Sequence, residues 1–366
     1  MADRQTKIRK CYFPDYWDTF ACKGGDCRTT CCGGWNIEIS WAEYYRLAEL
    51  KCSEELRRRI DEAILLSDEP TEDKFITPDK RGKCPMFDDD GLCMLQKECG
   101  ADAITAICRQ FPRGCKTGSC GTVLSLANSC EAVVELLLSR RDPIRILSDE
   151  RAPLELNLSA TDILPPEYTE KCFAIMQDRS MPLSRRLETL GSYLEDPENA
   201  SDSSANGAGH AAPSTAALQA LMRLSRNCLH SGRLLIDRAE KLFARYQAEG
   251  GQEAFLNDLA KFRADCPDHE IMLENLLVNH MIHGYFTGAT YYGGGALFSG
   301  LVCVYGAVLV FTALQWEHEP GLTQLADMLS ALFRYIDHSA YYLIGPDTLG
   351  VKQADLDNVL TEIARL

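Results

Sequence analysis

Thirteen of the seventeen cysteines in this chain fall between Cys11 and Cys130, and that crowding constrains its fold more than any other feature. In a small secreted protein such thiols would form a disulfide framework. This chain has 366 residues, enough for two domains with separate cores. Its opening residues 1–7 are followed by no apolar segment suited to a secretory signal. The expected location is cytoplasmic. Clustered thiols in a reducing compartment point to metal ligation rather than to cross-links.

The first constellation is Cys22-Lys-Gly-Gly-Asp-Cys27-Arg-Thr-Thr-Cys31-Cys32-Gly-Gly-Trp35. Its glycines allow a loop to fold tightly around a metal. The second comprises Cys84-Pro-Met-Phe87, Cys93 and Cys108-Arg-Gln-Phe-Pro-Arg113, and Cys130 closes the set. Four thiolates drawn from these would suit either a tetrahedral zinc or a [4Fe–4S] cluster. Cys27, Cys31, Cys93 and Cys108 are the favoured ligands, with Cys22, Cys32, Cys84 and Cys130 as close substitutes. Cys31 and Cys32 are expected to point in different directions and not to share one metal atom. Trp35, Arg109 and Arg113 are expected to shape or charge-balance the thiolates; ordinary packing explains them as readily. Cys172, Cys228, Cys266 and Cys303 are expected to be buried apolar residues.

The expected fold is mainly α. A Cys-rich, metal-stapled region of irregular loops covers 1–150, a helical connector 151–194, a flexible linker or surface loop 195–215, and a helical domain 216–366. Helical spacing is present over 41–63, with Ser40 as N-cap, and over 102–109, 129–140, 167–178 and 183–194. Further helices are expected at 217–228, 231–249, 253–263, 269–285, 293–314, 322–340 and 353–366. No alternating run is long enough to demand a large sheet. The apolar stretch 301–314, interrupted by Tyr305 and Gly306, predicts a buried helix and no membrane insertion. Gly293-Gly294-Gly295 is expected to form a turn before that helix.

The formal charge of −15 disfavours nucleic-acid binding. It suits a cationic partner, such as a lysine-bearing protein segment, although solubility alone accounts for many acidic chains. Cys27 and Cys31 begin a Cx3Cx2C pattern, but position 34 is glycine. No dinucleotide fingerprint sits in a strand–turn–helix context, and neither a metalloprotease motif nor a nucleophile elbow occurs. His280 and His283, with Glu274 and Asn275, form a polar helical stripe that is more readily packing than a ligand set.

The ordered pieces Phe20-Ala-Cys22, Asp26-Cys27-Arg-Thr-Thr-Cys31-Cys32-Gly-Gly-Trp35, Cys84-Pro-Met-Phe87, Gly91-Leu-Cys93, Ile107-Cys108-Arg-Gln-Phe111-Pro-Arg113 and Ser129-Cys130 resemble the flagellin lysine-N-methylase family. Leu273-Glu274-Asn275 and Asp337-His338 resemble its helical half. The resemblance implies methyl transfer from S-adenosylmethionine to lysines of flagellin, in a protein carrying a [4Fe–4S] cluster. It also implies Glu274, Asn275 and His338 as candidates for the substrate pocket. The alternatives are a non-enzymatic zinc- or iron-binding protein and, third, an electron-transfer protein.

Overall fold

The computed structural model describes residues 8–33, 35–66, 74–80, 82–118, 120–152, 154, 158–159, 166–197, 212–231, 236–284, 293–339 and 347–366. Most of the expected linker 195–215 lies outside them. The N-terminal part runs β1 (Arg9–Pro14), β2 (Ile37–Ile39), α1 (Trp41–Ala48), α2 (Glu54–Ala63), β3 (Ile64–Leu66), β4 (Lys74–Ile76), α3 (Met94–Cys99) and α4 (Ala106–Gln110). It continues through β5 (Arg113–Gly118), β6 (Gly121–Leu126), α5 (Glu131–Ser139), β7 (Ile146–Arg151) and β8 (Leu158–Ser159). Helices follow: α6 (Pro166–Met176), α7 (Leu183–Glu195), α8 (Thr215–Ser231), α9 (Ile236–Gln247), α10 (Gly251–Asp265), α11 (His269–His283), α12 (Gly293–His318), α13 (Leu322–Asp337) and α14 (Leu356–Ala364).

The mainly α expectation holds, but the front third contains a five-stranded sheet that sequence patterning did not predict. Its order is β7-β1-β6-β5-β8. β5 and β6 form a hairpin, β1 lies parallel to β6, and β7 closes the edge antiparallel to β1. The physical reason is burial. β6 is central and nearly all its residues are buried, so it reads as a short apolar run without alternation. Its partner β1 is more than a hundred residues away in sequence, where no local pattern can register the pairing. A second sheet, β2-β4-β3, is antiparallel.

The pattern over 41–63 divides into α1 and α2 because each has its own start. Ser40 and Glu43 form a reciprocal capping box. Ser53 accepts from the Leu56 amide and begins the second helix. The expected helix at 102–109 is likewise shortened to α4, where Thr105 caps the Cys108 amide.

Two hydrophobic cores result. The smaller gathers Ile37, Ile39, Leu47, Leu56, Ile60, Met86 and Leu95, with Cys84 and Cys93 at its margin. The larger runs from Cys11 to Leu366 and takes in β1, β6, α5 and the C-terminal helices on both sides of position 150. Cys172, Cys228, Cys266 and Cys303 are buried in it, as expected.

At its centre is α12, apolar around its whole circumference. It is long and apolar enough to cross a membrane, yet 89% of its most apolar window is buried inside the fold. Gly293–Gly295 form its first turn rather than a preceding loop. A Cβ at Gly294 would lie 1.9 Å from the Leu194 carbonyl oxygen at the end of α7. Gly294→Ala must therefore separate α7 from α12, at a cost of about 1–3 kcal/mol. Urea unfolding measures this; a midpoint equal to that of the parent would show that the helix ends are not in contact.

Candidate active site and clustered thiols

Helix α11 buries a polar face. Glu274, Asn275 and Asn279 are fully buried and His280 nearly so, which an amphipathic surface helix would not permit. Below them, β5 and β6 supply Lys116 and Ser125, and the end of α13 supplies Asp337 and His338. One Asp337 oxygen lies 3.3 Å from His280 Nδ1, and the other accepts the Ser129 amide at 3.0 Å. His338 Nε2 is 3.4 Å from Ser129 Oγ. Its ring centroid lies 4.5 Å from that of Trp35 and 6.4 Å from that of Phe111.

His283 Nδ1 lies 3.0 Å from Ser125 Oγ. The approach depends on Gly114, where a Cβ would fall 2.7 Å from Ser125 Oγ and 3.0 Å from the imidazole. Lys116 Nζ donates to the carbonyls of His283, at 2.5 Å, and Gly284. Asn279 donates to Leu126 O at 2.8 Å and Asn128 Oδ1 at 2.6 Å, and accepts the Tyr16 hydroxyl. These bonds satisfy polar atoms that would be costly to leave bare.

The electrostatics follow from this enclosure. Burial pushes the Asp337 carboxyl up, but the His280 contact and the adjoining imidazoles outweigh it and hold the group below its ordinary range. Burial depresses His338, and depresses His283 to about 4. Lys116 is brought down to about 8 by burial, against the pull of Asp337. At neutral pH the site thus holds an anionic Asp337 and a neutral His283.

His283 binds its proton less readily folded than unfolded, where its value is about 6.5. Between pH 4 and 6.5 the unfolded chain holds the extra proton, so stability rises with pH across that window. The contribution is complete above pH 6.5 and is lost as pH falls toward 4. Allowing for the ring's partial exposure, it amounts to about 2 kcal/mol. Urea unfolding of the parent and His283→Gln at pH 7.5 and 4.5 should show a shallower loss in the variant; equal losses would refute the assignment.

The thiols divide into two neighbourhoods. Cys22, Cys27 and Cys130 interact electrostatically with one another. Hydrogen bonds fix this arrangement: Lys23 Nζ reaches Glu131 at 2.5 Å, and the Thr29 amide donates to Glu131 at 2.6 Å. Cys130 stands at the N-cap position of α5, where burial pushes its thiol up against the opposing pull of the Val133 and Ala132 amides. Buried Arg334 donates to the Thr29 and Ser129 carbonyls, and its charge acts on Cys31, Cys130 and Cys27. Its Nη1 is buried without a hydrogen-bond partner.

In the second neighbourhood the Cys84 amide donates to Cys32 O at 2.8 Å, and Phe87 bridges to Cys93. Cys93 immediately precedes α3, and Cys108 sits in α4. Burial pushes Cys84 up to about 12 and Cys108 to about 11; Cys27, in the first neighbourhood, also reaches about 11. Cys31 and Cys32 do not point apart as expected. Their thiols share a hydrogen bond, which lowers Cys32 to about 7 and raises Cys31. Among the described residues, no three His, Cys, Asp or Glu side chains converge on a point that one ion could fill.

The favoured four, Cys27, Cys31, Cys93 and Cys108, are therefore spread over both neighbourhoods. Of the other expected site residues, Trp35 and His338 are brought into contact. Arg113 lies over the rings of Trp17 and Phe20 and donates to Phe20 O at 3.1 Å. Arg109 is exposed on α4 and donates to Ile104 O at 3.2 Å. Glu274 pairs with Arg179 and Arg186, and Asn275 donates to the Leu137 and Arg140 carbonyls. Sequence reasoning missed Lys116 and Arg334, and named Asp337 only as part of the Asp337-His338 resemblance. The one available signal was the acidic-His pair closing α13.

Residues 169–345, which contribute α11 and α13 to this site, match the FliB lysine N-methylase C-terminal domain. Just under half of the chain is thus similar to the FliB family. Over 155 residues it is 28% identical to the lysine-N-methylases of Salmonella typhimurium and Salmonella choleraesuis. That stretch is 42% of this chain and spans 38% of the length of either relative. The flagellar biosynthetic protein FliU of Salmonella muenchen is 29% identical over 134 residues, 36% of this chain and 79% of FliU. No solved structure matches the chain.

Proposed function

We propose that this protein transfers a methyl group from S-adenosylmethionine to lysine side chains of flagellin or a similar protein. The observation carrying the reading is that the FliB match supplies both helices of the buried Asp337–His280–His338 arrangement. A lysine ammonium must lose its proton before its nitrogen can attack. The nitrogen then displaces sulfur from the methyl carbon in line, and the bonding pair leaves on the sulfur. The cationic donor and the ammonium are both attracted by the Asp337 carboxylate. The ring nitrogen of His338, depressed by burial, accepts the proton. Trp35 and Phe111 form an aromatic wall beside it that favours a cation and excludes water.

The thiols have the donor chemistry of an iron–sulfur cluster, in which each thiolate binds its own iron and need not meet the others at one ion. The unpartnered Arg334 Nη1 beside Cys27, Cys31 and Cys130 fits an anionic group there. When bound, such a cluster supplies negative charge and a rigid anchor for the loop carrying Trp35. The direct test is incubation of purified protein with flagellin and isotopically labelled S-adenosylmethionine, read by mass spectrometry of lysine peptides. Methyl increments on lysine are expected; none on flagellin or on another flagellar protein would sink the reading. The separate small core with its own thiols favours, as second reading, a metal-binding module without catalysis. Bound metal without methyl transfer would support it.

A further inference from the structure

Two further thiols, Cys52 and Cys99, stand apart from the eight candidate ligands. Cys52 lies just before Ser53, the N-cap of α2, and Cys99 is the last residue of α3. Side-chain contacts bring these two helix ends together. Ser53 donates to the Glu98 carboxylate through its amide at 3.1 Å and through its hydroxyl at 3.0 Å, one bond to each oxygen. Cys99 Sγ lies 3.7 Å from the Lys51 carbonyl oxygen. Residues 51 and 53 are thus both held against the end of α3, with Cys52 between them, and the Cys52 and Cys99 thiols interact electrostatically. Both pack at the margin of the smaller core. Unlike Cys172, Cys228, Cys266 and Cys303, neither is fully buried, so a dissolved reagent can reach them. Among the described residues no third metal-ligating side chain joins the pair, and two thiols alone do not complete a zinc or iron site.

We propose that Cys52 and Cys99 form a redox-active dithiol, which a low-molecular-weight disulfide such as oxidised glutathione converts to a bridge across the small lobe. One protein thiol, as its thiolate, attacks a sulfur of the small disulfide and expels one small thiolate. The second protein thiol then attacks the mixed disulfide, the Cys52–Cys99 sulfur–sulfur bond forms, and the second small thiolate leaves. Both protein-thiol protons end on the departing thiolates, and the two electrons reduce the small disulfide to two thiols. The bridge spans α2, β3, β4 and α3, together with Cys84 and Cys93. It therefore restrains the unfolded chain over most of a lobe whose own core is slight. The two-pronged Ser53–Glu98 bond holds the ends in place before the bridge forms, which favours closure over reaction with a more distant thiol.

The inference goes beyond methyl transfer and does not depend on it. Anaerobically purified full-length protein is treated with oxidised glutathione, alkylated and digested with trypsin. Cys52 is released on residues 52–57 and Cys99 on residues 98–109, a peptide that also carries Cys108; fragment ions distinguish Cys99 from Cys108. The linked peptides should weigh about two mass units less than their reduced sum, and dithiothreitol should separate them. Oxidation should raise the thermal midpoint of the parent by several degrees and leave that of Cys52→Ser/Cys99→Ser unmoved. Glu98→Ala, which removes no thiol, should slow bridge formation about tenfold. Cys52 and Cys99 that stay fully alkylated, or Cys99 that pairs with a different thiol, would overturn the proposal. A bridge that forms without raising the midpoint overturns the staple, and an unchanged rate in Glu98→Ala counts against the pre-set geometry on which the pairing rests.

Discussion

Asp337→Asn should lower the rate of lysine methylation by about a hundred- to a thousandfold, the usual effect of removing one preorganised charge from a closed site. The carboxylate is buried, sits 3.3 Å from His280 Nδ1, and receives the Ser129 amide. Asparagine matches its shape and still offers one acceptor, so the α13–α5 junction keeps most of its packing. What disappears is the negative charge that favours an ammonium and a sulfonium together. Both binding and turnover should suffer, because the attraction acts on the ground state and on the transition state. Initial rates under single-turnover conditions, with thermal melting alongside, check this. A rate within about threefold of the parent, in a variant that melts normally, would remove Asp337 from the site.

How much of this was legible beforehand depends on the range of the interactions. Ser40 as a cap and the buried α12 were readable because their signals lie within one or two turns. The crowding of thiols was readable too, but its partition was not. Cys27 and Cys130 come together only when α5 meets the N-terminal loop, and Cys32 meets Cys84 only through a bridge across fifty residues. The β1–β6 pairing is hidden for the same reason. His280 and His283 were recognised as a polar pair, yet their meaning depends on Asp337, Ser125 and Lys116, which arrive from other elements. Gly114 shows the limit well. Its need for close approach is set by the Ser125 hydroxyl of β6 and an imidazole from α11, and nothing in the local sequence marks it.

Glu274 gives the sharpest separation between a residue held for structure and one held for chemistry. The family resemblance places it near the substrate, whereas the structure encloses it between two arginines. Arg179 reaches it at 2.8 Å and Arg186 at 2.6 Å, and Arg186 is itself almost fully buried. Arg186 also donates to the Met181 and Met176 carbonyls, so the carboxylate ties the α6–α7 connection to α11. Glu274→Ala strips a buried guanidinium of its nearer counter-charge and leaves it only Glu270 at 3.4 Å, which costs about 3–5 kcal/mol. Replacing both partners, as Glu274→Met with Arg186→Leu, should restore much of that loss because no buried charge is left unpaired. Urea unfolding of the two single variants and the double variant measures the coupling directly. If Glu274 acted on substrate, the double variant would regain stability but not methylation. If its role is structural, both return together, and α11 serves the site through its lower turns, at Asn279, His280 and His283.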